Sequence, residues 1–200
     1  MSAEPSSRRY FDPRFDADII TVPPGGHAIT AAPREILATV LGSCVSVCMR
    51  DPQVGVGGIN HFLLPLNTEA TVADPLHAAE RYGDTAMEIL INGLFKQGAR
   101  RGHLEAKVVG GGRVLPGKSA LMIGDGNVSF VLGFLKRENI PIVSKDVGGT
   151  QSRRLHYQPA TGRAWVRHLE TASTRDNNRD ELAYLDRLQT KPIAGGVEIF

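Results

Sequence analysis

Apolar Val45, Val47 and Met49 alternate with Cys44, Ser46 and Cys48, the period-two signal of a strand. They end a long apolar run over 36–49. Asp51-Pro52-Gln53 reads as a turn, and 54–64 reads as a strand returning beside the first, closed by Pro65, which has no ladder donor. Upstream, 1–16 reads as a mobile polar arm and 19–22 as a short strand stopped by Pro23-Pro24-Gly25-Gly26. Downstream, 66–83 reads as a polar loop. Met87, Leu90, Ile91, Leu94 and Phe95 then form one helical stripe. That predicts a helix over 85–97, capped by Asp84 or Thr85, with Gly98 in the left-handed C-terminal position. A strand is expected over 104–109. A second helix is expected over 127–138, with Asn127 as cap and Val128, Val131, Leu132 and Leu135 on one face. A strand over 140–143 follows, then a hairpin of 154–157 and 163–166 around Pro159-Ala160-Thr161-Gly162. A short helix over 180–188 follows a polar linker. This mixture predicts an α/β domain of mixed, hairpin-rich β-sheets in a sandwich with two main flanking helices. The expected organisation is an arm over 1–17, a domain over 18–170 and a polar linker and tail over 171–200.

Composition adds bounds rather than detail. The 200 residues are 42% hydrophobic and 22% charged, ordinary values for one globular domain. The formal net charge of +2 gives no reason to expect nucleic acid as a partner. The uncharged run over 36–49 falls short of the roughly 20 apolar residues of a membrane span. Residues 1–9 lack the apolar stretch of a secretory signal. A cytoplasmic, monomeric protein without membrane insertion is therefore expected. Cys44 and Cys48 are the two cysteines. In a strand they lie roughly 13 Å apart, too far for a disulfide.

Three stretches could carry chemistry. In the first, the hairpin returns Asn60-His61 beside Gly42-Ser43-Cys44. A thiol needs a neighbouring imidazole to become a thiolate nucleophile. Gly42 lets a substrate approach the backbone, the amides around Ser43 and Cys44 could form an oxyanion hole, and Thr39, Ser43 and Asn60 are candidates to orient His61. Two alternatives stand beside this. Both cysteines and His61 could be plain core residues, or Cys44, Cys48 and His61 could hold zinc, although a fourth ligand is missing. In the second, Gly112-Arg113-Val114-Leu115-Pro116-Gly117-Lys118-Ser119 matches the phosphate-binding loop of P-loop NTPases. Such a loop needs a helix directly after it, and Gly124-Asp125-Gly126 is expected to break one. An NTPase would depend on Lys118 and magnesium. In the third, 146–154 reads as a turn bounded by the solvated pair Arg153-Arg154, or as a loop framing a cleft. The other histidines show no metal-ligand spacing and read as surface residues.

Thr39-Val40-Leu41-Gly42-Ser43-Cys44-Val45, followed by Gly57-Gly58-Ile59-Asn60-His61-Phe62-Leu63-Leu64-Pro65, closely resembles the CheD family of chemoreceptor glutamine deamidases. The likeness continues through Tyr82 and Ala86, Ala106-Lys107-Val108-Val109-Gly110-Gly111, Ile123-Gly124 with Asn127, and Asp146-Val147-Gly148-Gly149 with Arg153. It ends with Tyr157 and Thr161-Gly162, so it spans roughly 18–168. Gly126 departs from the pattern, since relatives often carry arginine there. The resemblance implies a cysteine-dependent enzyme with Cys44 as nucleophile, His61 as acid and base, and an assisting threonine just upstream, for which Thr39 is in position. It implies no metal or organic cofactor. The implied substrate is the cytoplasmic helical domain of chemotaxis receptors, with receptor methyl esters as an additional one. The alternative is a regulatory module binding a CheC-type phosphatase. On this reading the P-loop match is a coincidence of Gly117-Lys118-Ser119.

Overall fold

The structure, a computed structural model, describes residues 8–64, 75–114, 118–170, 182–184 and 186. The strands are β1 (Arg9–Asp12), β2 (Ala17–Thr21), β3 (His27–Thr30), β4 (Glu35–Leu41), β5 (Val45–Asp51), β6 (Val56–Asn60), β7 (Glu105–Gly110), β8 (Ile142–Val147), β9 (Arg153–Gln158) and β10 (Arg163–His168). The long helices are α1 (Pro75–Lys96) and α2 (Lys118–Arg137). One sheet runs β1-β2-β4-β9-β10 and the other β3-β6-β5-β7-β8. The pairs β2–β4 and β7–β8 are parallel and the remainder antiparallel.

Alternation sorts the core into layers. Val45, Val47 and Met49 of β5 face the helices, packing with Met87, Leu90 and Leu94 of α1 and Val131 and Leu135 of α2. Cys44 and Cys48 face the other way, against Leu37 and Leu41 of β4 and Leu155 and Tyr157 of β9. The order is thus sheet, sheet, helices. A smaller cluster of Ala17, Ile19, Ile36 and Ala38 lies on the far side of the first sheet beneath Phe15 and Trp165. Each fully buried Leu, Val or Met contributes about 1.5–3 kcal/mol, so the helical layer is integral to the fold. The mixed, hairpin-rich sandwich with two flanking helices is the architecture expected. The β5–β6 hairpin turns beyond Asp51, and β9–β10 form the second hairpin.

Several local expectations need correction. Arg9–Asp12, assigned to a mobile arm, is an edge strand. Arg9 reaches Asp18 and Glu35 across it, and Asp12 is buried against Arg14. The apolar run over 36–49 serves two sheets, parted at Gly42-Ser43-Cys44. Helix α1 begins at Pro75, a favoured first helical residue because its missing N–H has no partner to lose there. Asp84 and Thr85 therefore lie inside the helix rather than at its cap. Gly98 does take the left-handed position, with φ +95°. Ala99 N–H bonds Leu94 O at 3.1 Å and Gly98 N–H bonds Phe95 O at 2.9 Å, the Schellman pattern. Helix α2 begins at Lys118 and runs through Gly124-Asp125-Gly126 unbroken, so Asn127 is mid-helix, not a cap. The strand expected over 140–143 is displaced to β8. Residues 182–184 and 186 are helical. Residues 75–83 of the polar loop expected over 66–83 belong to α1 instead. The rest of that stretch, the linker expected over 171–181, the rest of the helix expected over 180–188 and the tail beyond 186 lie outside the described residues. No helix of the described residues is long and apolar enough to cross a membrane.

Candidate active site

Cys44 sits where β4 hands over to β5, and His61 directly follows β6. The β5–β6 ladder pairs Cys48 with Ile59, and an isolated bridge continues the same register between Val45 and Phe62. Cys44 and His61 therefore share the face that looks into the sandwich, as diagonal cross-strand neighbours. Such neighbours have Cα atoms about 7–8 Å apart, a gap that a thiol and an imidazole can close. Between these pairings the ladder opens. Val47 N–H bonds Asn60 Oδ1 at 2.9 Å instead of backbone. His61 N–H bonds Gly26 O at 2.9 Å, and Gly25 N–H bonds His61 O at 2.7 Å.

Thr39, on β4 of the opposite sheet, reaches across to the imidazole. Its Oγ1 lies 2.7 Å from His61 Nδ1 and 2.8 Å from Val22 O. A carbonyl can only accept, so the hydroxyl donates to Val22 and accepts from Nδ1–H. This network assigns the proton to Nδ1 and leaves Nε2 as the basic nitrogen. Of the three residues considered for orienting His61, Thr39 bonds its ring. Asn60 is committed elsewhere. Besides Val47, it donates to Ala86 O and lies against Met87 Sδ, each at 3.4 Å.

The loop at 42–44 hangs by its carbonyls. Gly112 N–H holds Gly42 O and Gly111 N–H holds Cys44 O, both at 2.7 Å. Asn127 Nδ2 donates to Ser43 O at 2.9 Å, while its Oδ1 accepts Leu64 N–H at 2.8 Å. Asn127 is fully buried and joins helix α2 to both strands that carry the pair. Reading it as a helix cap missed this role. Its place among the family-like residues was the available signal. The contact is close, since a Cβ on Gly110 would collide with Cys44 O and one on Gly124 would lie 2.6 Å from Gly111 O. These bonds also correct the argument about the P-loop match. A helix does follow that loop, but Gly112 spends its amide on Gly42 O and Arg113 N–H bonds Gly149 O at 2.8 Å. The first amides of the motif are thus taken, and its residues 115–117 lie outside the described residues.

Cys44 is 0% and His61 2% exposed. Burial pushes the Cys48 thiol far up. Among the described residues no cluster of three or more His, Cys, Asp or Glu side chains could hold a metal. A cavity of about 390 Å³ touches Thr39 and His61 from the Val22 side, with Arg8, Arg14, Arg154 and His156 on its walls. The 146–154 turn is not bounded by a solvated pair, because Arg153 is buried. It bonds Asp146 Oδ1 at 2.8 Å and Gly148 O at 2.6 Å, tying the end of β8 in one sheet to β9 in the other. Burial alone would raise the Asp146 carboxyl, but Arg153 and His168 outweigh it and hold it below the usual carboxylate range. His156 is half-buried, its ring 5.0 Å from that of Phe15, rather than a plain surface residue.

Comparison with known proteins places this geometry in a family. The family described as CheD chemotactic sensory transduction matches residues 63–168. A "Probable chemoreceptor glutamine deamidase CheD" of Janthinobacterium sp. (strain Marseille) is 45% identical over 191 residues, 96% of this chain and 93% of that one. A relative of the same name from Bordetella avium (strain 197N) is 47% identical over 82% of this chain and 71% of its own. Among solved structures, the hypothetical protein YfiH of Bacillus licheniformis superposes with TM-score 0.37 at 14% identity, over 62% of this chain and 49% of that one.

Proposed function

The chain belongs to the CheD family, and on that premise we propose that it deamidates selected glutamines of chemotaxis receptors through a Cys44 thioester. One observation carries the mechanism. The bond from His61 Nδ1–H to Thr39, itself anchored on Val22 O, fixes the imidazole in the tautomer whose Nε2 can take a proton from the thiol. Cys44 Sγ, once deprotonated, attacks the carboxamide carbon of a glutamine side chain. The tetrahedral intermediate expels ammonia, protonated by His61, and leaves an acyl-cysteine. His61 then draws a proton from water, which attacks the thioester and releases glutamate and the thiol. The loop at Gly42-Ser43-Cys44, fixed by its carbonyls, offers backbone amides to the oxyanion. Asn60 frames the site indirectly, by shaping the opening in the β5–β6 ladder.

Each turnover turns a neutral side chain into an anion on a helical receptor surface, changing the repulsion between neighbouring helices. A receptor methyl ester would reach the same thioester by losing methanol instead of ammonia, so methylesterase activity forms part of the proposal. The setting is the cytoplasm, where the receptor's helical domain lies.

The test is mass spectrometry of a receptor cytoplasmic fragment incubated with wild-type protein, Cys44→Ala and His61→Ala. The expected result is an amide-to-acid mass shift at discrete glutamines with wild type alone. Absence of any shift with correctly folded wild-type protein would overturn the reading. The role would then pass to regulatory binding of a CheC-type phosphatase, which Cys44→Ala should support fully.

A further inference from the structure

A carboxamide carried by another protein must touch Cys44 Sγ, yet Cys44 and His61 are 0% and 2% exposed. Something in the described structure stands in the approach. Residues 182–184 are helical, and they bring Tyr184 back onto the site from beyond the last strand. Three contacts locate its ring. It packs against the cluster that contains Cys44, Leu63 and Ile123. Its hydroxyl bonds that of Tyr82 on α1. It also lies over Gly25, where an added Cβ would be 2.6 Å from Tyr184 Oη. Gly25 is the residue whose N–H holds His61 O. One aromatic ring thus bears on the cluster that contains Cys44, on the turn behind His61, and on Tyr82 of α1.

The 390 Å³ cavity is lined by Thr39 and His61 but not by Cys44. Its walls come from β1, β2, β4 and β9 and from Val22-Pro23-Pro24, and it meets His61 on the side of its orienting threonine. A second, smaller cavity reaches His61 between Gly25, Gly26, Asn60 and Ala86, on the side where Tyr184 lies over Gly25. A helical turn with one side chain seated on the cluster that contains Cys44 is also the shape in which a receptor helix would present a glutamine.

We propose that Tyr184 closes the substrate entrance of this enzyme, occupying the seat that the side chains flanking a target glutamine take when the receptor binds. The inference rests on the deamidase reading for its substrate, but not for its test. With Tyr184 seated the thiol is shielded, and when its side chain leaves that seat Gly25 and Tyr82 become the walls of an open cleft. A closed-to-open ratio of about ten would depress the apparent rate of any reaction at Cys44 about tenfold.

The experiment measures Cys44 alkylation by iodoacetamide in the full-length protein, with peptide mass spectrometry separating Cys44 from Cys48. Tyr184→Ala should be alkylated at Cys44 about tenfold faster than wild type, and Tyr184→Phe, which keeps the ring but loses the hydroxyl bond, at an intermediate rate. Cys48 is the internal control and should stay unmodified. Should it react in Tyr184→Ala, that variant is opening globally and Tyr184→Phe supplies the comparison, still reacting faster than wild type. Equal or slower alkylation of Cys44 would overturn the proposal. Deamidation of the receptor fragment is followed in parallel. Active enzyme with unchanged alkylation removes the closure and leaves the deamidase reading. Faster alkylation without deamidation does the reverse.

Discussion

Thr39 has one hydroxyl proton to give, and Val22 O takes it. The oxygen then has only lone pairs to offer the imidazole, and the tautomer of His61 follows. A neutral side chain thus does the orienting that a carboxylate does in many hydrolase triads. Thr39→Val keeps the shape of the side chain but removes the hydroxyl that links Nδ1–H to Val22 O, leaving the two facing each other only at 3.5 Å. Stability should fall by about 1–3 kcal/mol, and kcat on a receptor fragment by about 10²-fold or more, with KM little changed. Thr39→Ser should retain most of both. Thermal melts and steady-state kinetics on the two variants check this, and equal kcat in Thr39→Val and wild type would remove the orienting role.

At the scale of elements, the hairpin that delivers His61 depends on Asp51. Its side chain is fully buried and accepts the N–H groups of Gln53 and Arg100, both at 2.9 Å. Burial alone would raise this carboxyl, but those bonds and nearby His103 outweigh it and hold it below the ordinary value. A carboxyl depressed in the folded state lends stability that is full above about pH 4. That stability is lost as pH falls through the lower folded value. Asp51→Asn should therefore cost about 1–3 kcal/mol at neutral pH, and the deficit should shrink in acid, as denaturant melts across pH would show. Helix α2 gives the opposite kind of prediction. A Cβ at Gly126 would meet nothing within 4 Å, and the residue is exposed in mid-helix. Gly126→Ala should stabilise by about 0.5–1 kcal/mol, measurable as a raised melting temperature. A lowered one would show that the glycine serves something other than the helix. The two helices also mark what periodicity could and could not reveal. Their apolar stripes, Met87 to Leu94 and Val128 to Leu135, were legible. Their first turns were not, because Gly124-Asp125-Gly126 reads locally as a breaker. Packing of Gly124 on the Gly111 carbonyl and the two bonds of Asn127 override that local preference.

For the molecule as a whole, the site is assembled from all three layers. The first sheet supplies Thr39, the second leads into Cys44 and His61, and the helical layer supplies Asn127. Sequence pattern could pair β5 with β6, since hairpin contacts are local, and so could propose Cys44 with His61. It could not show that the apolar run over 36–49 splits between two sheets, which is what sets Thr39 opposite His61. Nor could it show that Arg153 is buried between the sheets, because the Asp146 that stabilises it lies on a strand of the other sheet. Asn127→Ala tests the three-layer dependence. It would leave Ser43 O and Leu64 N–H without their partner, costing about 1–3 kcal/mol in stability. It should also lower kcat more than it raises KM, because the loop it frees holds the nucleophile rather than the substrate. Wild-type kcat in a destabilised Asn127→Ala protein would reduce the residue to scaffold.

The seam where Gly110 packs on the Cys44 carbonyl and Gly124 on the carbonyls of Gly111 and Gly112 leaves no volume for a side chain. In evolutionary terms that seam is a fixed point, since almost any exchange there displaces Cys44 along with the backbone. On the function proposed above, variation in receptor preference should accumulate elsewhere, around Gly25, Tyr82 and Tyr184. In a saturation-mutagenesis map, the tolerated and intolerant positions should divide along that line. Lineages could then retune their targets without re-inventing the chemistry.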